Sequence, residues 1–277
     1  ESPYAELVAK KFNTKHKRIL LEPEYFLDAL PEGLDLMDTP SGDGMNTYIV
    51  SKVVRRDGFK VALTGAGGDE LFAGYPFFKR FTQFKRLGAA LGGANWIRKP
   101  VAKVLQGITT TARAERILGL VADTKSSIVN FYPQCRRILT PGLLRKLTRM
   151  EVYGESFISR RLRQYETELE ELPWLSQVSA ADFMGYTQST MMKDNDQLSM
   201  AVALELRQPS FDHVLVEFMM SVPDKFKYPV YPKKLLVDAL GDLIPREVVH
   251  RPKQGFLFPW KYWMKKELRS FCEKYLH

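Results

Sequence analysis

At 277 residues and 45% hydrophobic content, the chain can bury a sizeable core in one or two domains. Its formal charge of +9 admits nucleic acid, an anionic surface or a phosphate-rich ligand as partner. The basic clusters at Lys79-Arg80, Lys85-Arg86, Arg136-Arg137 and Arg160-Arg161-Arg163 read as solvated helix faces, and no nucleic-acid motif accompanies them, which argues against nucleic acid.

There is no apolar run of about 18 residues and no charged-then-apolar leader, which speaks against a membrane span or signal peptide in these residues. Cys135 and Cys272 fit no CxxC pattern and suit a reducing, cytoplasmic setting. His16, His213, His250 and His277 lack ligand spacing, so no zinc site is expected.

In chain order, residues 3–12 place Tyr4, Leu7, Val8 and Phe12 on one helical face, and 16–21 read as a short strand. Pro23 opens a helix towards Leu30. A Pro-, Gly- and Ser-containing loop, 38–44, leads into a helix over 45–54. A buried strand is expected over 59–63, bounded by Gly58 and Gly65. Strand, helix, strand in this order implies parallel strands of an α/β sheet. Beyond Phe77 helical spacing dominates: 112–123, 141–149, 155–172, 176–193, 212–222, 232–240 and 259–276. Residues 88–111 give no clear boundary.

The chain is organised around VALTGAGGDELFAGYP, residues 61–76. Gly65, Gly67 and Gly68 let the backbone turn tightly and approach a ligand, and the helix starting at Asp69 favours an anion. A plain tight turn, with Asp69 serving only the helix start, is the alternative. Two further blocks are KDNDQLSMAVALELRQPSFDHVLVEF, 193–218, and RPKQGFLFPWKYWM, 251–264.

These three blocks, in this order and at this spacing, resemble the synthetase domain of the asparagine synthetase (glutamine-hydrolysing) family. SPYAELVAKKFNTKHKRILLEPEYFLDAL, 2–30, fits the same alignment. The resemblance implies a partial parallel sheet of the adenine-nucleotide alpha-hydrolase-like (ATP-pyrophosphatase) fold, followed by a largely helical region. On that basis residues 1–78 form a partial nucleotide-binding portion and 79–277 a helical portion of one domain.

The implied reaction is ATP-dependent amide formation on aspartate or a related carboxylate, through an acyl-adenylate, with AMP and pyrophosphate released. Ammonia would come from glutamine through an upstream glutaminase domain, and a homodimer is among the expected assemblies. By resemblance Thr64, Gly65, Gly67 and Gly68 bind the nucleotide, Asp69 helps hold Mg²⁺, and Lys253 stabilises charge on the phosphate. Glu205 and Arg207 would make buried polar contacts that shape the site.

The sequence departs from the family pattern in three places. Ala66 stands where many members carry an acidic residue, and Gln197 where a basic residue is usual. The Ser-Gly-Gly-x-Asp-Ser pyrophosphate loop occurs nowhere in the 277 residues. The chain is therefore expected to be a C-terminal piece, inactive alone, with its first 60 or so residues poorly packed and Val61 and Leu63 uncovered. The competing reading is a non-catalytic helical interaction module on the same scaffold; a basic nucleic-acid binder is a third.

Overall fold

The computed structural model describes residues 2–90, 92, 96, 100–102, 104, 112–123, 125–149, 155–251, 255 and 258–276. Among them the chain is mostly helical with one two-stranded parallel sheet, which is compatible with an α/β class. It divides into two compact units. The first comprises Glu1–Thr64, Thr190–Arg207 and Val237–His277; the second comprises Gly65–Ser189 and Gln208–Leu236.

The first unit holds the sheet. Strand β1 (Val61–Leu63) pairs with β2 (Glu205–Arg207), Val61 opposite Glu205 and Leu63 opposite Arg207. The Glu205 N–H bonds the Lys60 carbonyl and the Thr64 N–H bonds the Arg207 carbonyl, both at 2.9 Å, closing the ladder at its two ends. β2 was not legible as a strand, because three residues are too few for an alternation to register. The strand expected to be buried over 59–63 is only three residues long and is not buried: Phe59, Val61 and Leu63 are 57%, 41% and 74% exposed, in line with the expected lack of cover.

The helix Pro23–Asp35 begins at a proline, whose fixed φ suits the first turn and whose missing N–H leaves no bond unmade there. Its buried Phe26, Ala29, Leu30 and Gly33 follow the i, i+3, i+4, i+7 spacing. They share a core with Met45, Tyr48 and Ile49 of the helix Gly44–Arg56 and with Leu198. A Cβ on Gly33 would lie 2.5 Å from the Met45 sulfur, so the glycine is what permits this approach. Phe26 stacks on Trp263 with ring centroids 4.8 Å apart. Each such aromatic or aliphatic burial contributes about 1.5–3 kcal/mol. The expectation of a poorly packed N-terminal 60 residues therefore fails for these two helices, whose apolar stripes pack into one core.

The strand expected over 16–21 does not form. Residues 14–22 carry no regular structure and Leu20 is exposed. Alternation alone cannot satisfy backbone N–H and C=O groups, and no described strand pairs with this segment. The terminal helix, expected unbroken over 259–276, is split into Trp260–Trp263 and Arg269–Leu276. Between them the Lys266 N–H and the Leu268 N–H both bond the Trp263 carbonyl, at 3.0 and 2.8 Å. Residues five apart on a regular helix point about 140° away from each other. The irregular turn coincides with burial of both Trp263 and Leu268 in the core.

The second unit packs Pro76–Ala90, Ile128–Arg136 and Trp174–Asp182 around Phe78, Phe81, Ile128, Tyr132, Leu162 and Leu175. The helix Ile128–Arg136 had no sequence counterpart; Pro133 lies inside it and masks the pattern. Ser127 starts it, its Oγ accepting the Val129 N–H at 3.2 Å. The helix expected over 155–172 is two, Phe157–Arg163 and Glu166–Glu171, with Leu162 and Leu169 buried but Phe157 and Tyr165 exposed.

The helix expected over 176–193 becomes Trp174–Asp182 followed by a π-helical stretch, Phe183–Met191, kinked at Gly185. A Cβ on Gly185 would fall 2.6 Å from the Tyr132 ring, and the Tyr186 N–H donates to the Tyr132 hydroxyl at 3.1 Å. The kink has an identifiable cause: an inserted tyrosine takes over a backbone donor.

Candidate active site

Thr64 closes the ladder in the first unit and lines a cavity of about 300 Å³ with Asn46, Thr47, Ser51, Asn195 and Leu206. That volume is at the lower end of small-molecule sites, and the lining mixes apolar walls with a few polar groups. Thr47 donates to the Asn195 Oδ1 at 3.1 Å. Nearby in the same unit, the Ser41 hydroxyl donates to the buried Asp194 carboxylate and accepts the N–H groups of Asp43 and Gly44 at 3.2 and 3.3 Å. Gln197 donates to the Leu36 carbonyl at 2.8 Å, beyond the end of helix Pro23–Asp35. The Gln197 amide thus has a structural partner.

Gly65, Gly67, Gly68 and Asp69 belong to the second unit. Gly67 has φ +92, a conformation only glycine adopts at ease. A Cβ there would also meet Ser210 at 2.8 Å and the Phe211 ring at 3.0 Å. The helix that follows, Gly68–Leu71, is a single turn, so it supplies no helix dipole of consequence.

Asp69 turns its carboxylate along the loop. Its Oδ1 is 3.3 Å from the Lys233 Nζ, with the two side chains 23% and 34% exposed. A Cβ on Gly74 would overlap that carboxylate, so Gly74 gives it room. Lys233 also lies 3.8 Å from the Cβ position of Gly68 and has a left-handed φ of +59. Sequence reasoning missed it; the only signal was a Tyr-Pro-Lys-Lys turn before the helix Lys234–Leu240.

Glu70 faces inward. It is buried, Tyr75 donates to its Oε1 at 2.5 Å, and burial raises its pKa from the ordinary carboxylate value. Lys253 lies outside the described residues.

Glu205 and Arg207 do not make the expected buried contacts. Their side chains are 54% and 62% exposed and pair with each other at 2.8 Å. Two residues apart on a strand they share a face, and that face is not covered. Among the described residues no group of three or more His, Cys, Asp or Glu side chains could hold a metal ion. One carboxylate, that of Asp69, is still compatible with Mg²⁺, which takes few protein carboxylates beside phosphate oxygens and water.

The family model described as asparagine synthase matches residues 1–277. The chain is 26% identical over 257 residues to asparagine synthetase [glutamine-hydrolyzing] 1 of Bacillus subtilis (strain 168), covering 91% of this chain and 39% of that protein. A putative asparagine synthetase [glutamine-hydrolyzing] 1 of Methanocaldococcus jannaschii is 40% identical over 81 residues, 28% of this chain and 15% of that one. Amidase chyE of Penicillium rubens is 23% identical over 248 residues, 81% and 36% of the two chains. No solved structure matches the chain. It spans 39% of the length of the Bacillus relative. With the match running over all 277 residues, the chain belongs to the asparagine synthase family.

Proposed function

We propose that the chain carries part of the ATP-handling centre of a glutamine-dependent amidotransferase. The observation that carries this is the glycine turn with Gly67 at φ +92 and Asp69 presented beside Lys233, a carboxylate and a cation next to close-approach backbone. Residues 1–78 and 79–277 are read as two portions of one synthetase domain, with Thr64, Gly65, Gly67 and Gly68 beside the nucleotide.

In the proposed reaction a carboxylate oxygen of aspartate or a related acceptor attacks the α-phosphorus of ATP, and pyrophosphate leaves. Ammonia released from glutamine by a glutaminase domain then attacks the acyl carbon, and AMP leaves. When bound, Mg²⁺ supplies charge neutralisation on the triphosphate; Asp69 is the residue of this chain that would hold it. Lys253 would offset charge on the departing phosphate. No helix among the described residues is long and apolar enough to cross a membrane; a cytoplasmic location and a homodimer remain part of the proposal.

The test is ATP–pyrophosphate exchange. The 277 residues contain no Ser-Gly-Gly-x-Asp-Ser loop. The isolated chain is therefore expected to be inactive and the full-length protein active. Robust exchange by the isolated chain would overturn the fragment reading, and none by the full-length protein would overturn the enzyme reading. In that second case the non-catalytic module, favoured by the missing loop and by Ala66, takes its place.

A further inference from the structure

Behind the glycine turn the second unit contains a chain of polar groups that the proposed chemistry does not use. Asp182 is fully buried, and Arg136 grips it with two bonds, Nε to Oδ1 at 3.0 Å and Nη2 to Oδ2 at 2.9 Å. The Tyr132 hydroxyl donates to the same Oδ1 at 2.5 Å. Burial works most strongly against the Arg136 charge, yet the Asp182 carboxylate together with Tyr132 and Tyr75 outweighs it and holds the guanidinium pKa above its ordinary value.

The guanidinium lies over three rings, 4.2 Å from the centroid of Tyr186, 4.7 Å from Tyr75 and 5.1 Å from Phe77. Tyr75 passes the contact on, since its hydroxyl is the donor to Glu70. Ser179 Oγ bonds the Glu70 carbonyl at 2.9 Å, tying the backbone itself.

Well-packed apolar side chains would fill such a core with no loss of stability, because a buried ion pair rarely outperforms them. What a satisfied polar network adds is a single allowed geometry. One end of this network is the residue next to Asp69.

We propose that Arg136 is a positioning residue for the glycine turn. Clamped by Asp182 and Tyr132, it fixes Tyr75; Tyr75 holds Glu70; and Glu70 sets the backbone from which Asp69 presents its carboxylate. The proposal rests on the reading of Asp69 as the metal–phosphate carboxylate.

The experiment compares Tyr75→Phe, Arg136→Gln and Leu175→Ala in the full-length protein. Tyr75→Phe keeps the ring under the guanidinium and deletes only the hydroxyl. Half-saturating Mg²⁺ in ATP–pyrophosphate exchange is expected to rise about tenfold in Tyr75→Phe and Arg136→Gln, as for loss of an outer partner of a metal ligand. The ATP KM at saturating Mg²⁺ should stay within about twofold. Amide hydrogen exchange of residues 69–74 should accelerate about tenfold in both variants.

Leu175→Ala, a cavity in the same core, should lower the melting temperature and leave half-saturating Mg²⁺ unchanged. An equal Mg²⁺ shift in Leu175→Ala would reduce Arg136 to core packing and overturn the proposal. So would wild-type Mg²⁺ dependence and amide exchange in Tyr75→Phe. If the unsubstituted full-length protein exchanges no pyrophosphate, the functional reading fails. Amide exchange at 69–74 then decides the positioning on its own: acceleration in Tyr75→Phe supports it, and no change overturns it.

Discussion

Two carboxylate–cation pairs in the second unit, Asp182–Arg136 and Asp69–Lys233, use the same chemistry in opposite surroundings. Asp182 is wholly out of solvent, held by two guanidinium bonds and a tyrosine hydroxyl. Asp69 meets Lys233 at 3.3 Å with both side chains partly in water. The first pair must remain made, because breaking it strands a buried charge. The second can exchange its cation more readily, because Lys233 keeps part of its side chain in water, although the Asp69 oxygen facing it is itself buried. Placement alone thus separates a fixed joint from a site able to take a ligand.

The comparison breaks most visibly at the buried pair. Asp182→Ala should destabilise the protein by about 3–5 kcal/mol in urea unfolding, since Arg136 is left without its counter-charge. A double replacement, Arg136→Met with Asp182→Leu, should recover much of that loss. A single-variant loss below about 1 kcal/mol would place Asp182 with the exposed pairs.

Lys253 sharpens the other side. In the full-length protein Lys253→Ala should slow adenylate formation by roughly 10²–10³, with ATP binding and melting temperature little changed. Near-normal turnover would return this lysine to a solvent-facing role.

Lys233→Ala should alter stability by about 1 kcal/mol or less. It should also lower half-saturating Mg²⁺, because the ammonium that offsets Asp69 is gone. A higher Mg²⁺ requirement would show that Lys233 assists the metal–phosphate complex rather than competing with it.

The smallest effect concerns Asp194, whose partner is neutral. Burial raises its pKa above 3.8, and the Ser41 hydroxyl partly reverses this. Between 3.8 and the raised value the folded state keeps a proton that the unfolded chain has released. Stability contributed there is present at low pH and declines as pH climbs through that window. Asp194→Asn should flatten the slope in urea titrations at a series of pH values. An unchanged slope would clear Asp194 of the effect.

What could be read from the sequence follows the range of the interactions involved. The glycine turn was legible because Gly65, Gly67, Gly68 and Asp69 act within five consecutive positions. Helix 23–35 was found from its opening Pro23 and helix 44–56 from its apolar spacing, although neither to its full length. Arg136 and Asp182 lie 46 residues apart, and no local pattern joins them. Arg136 had been read as part of a solvated basic cluster. The segment 16–21 failed for the converse reason, since its local pattern suited a strand but a ladder needs a partner. Lys233 was hidden behind a proline turn whose path across Gly68 only the fold reveals.

Gly67 also constrains how this protein can vary. A side chain there would need a backbone conformation that L-residues rarely adopt, and space already taken by Ser210 and Phe211. Making room at positions 210 and 211 removes only the second obstacle, and relaxing the turn alone removes only the first. Two individually unhelpful changes would therefore have to arise together before any substitution at 67 becomes neutral. Such a valley predicts that random mutagenesis with selection for folding will recover replacements at Ala66 far more often than at Gly67. It also predicts that rare survivors at 67 will carry a second change in the segment Pro209–Phe211.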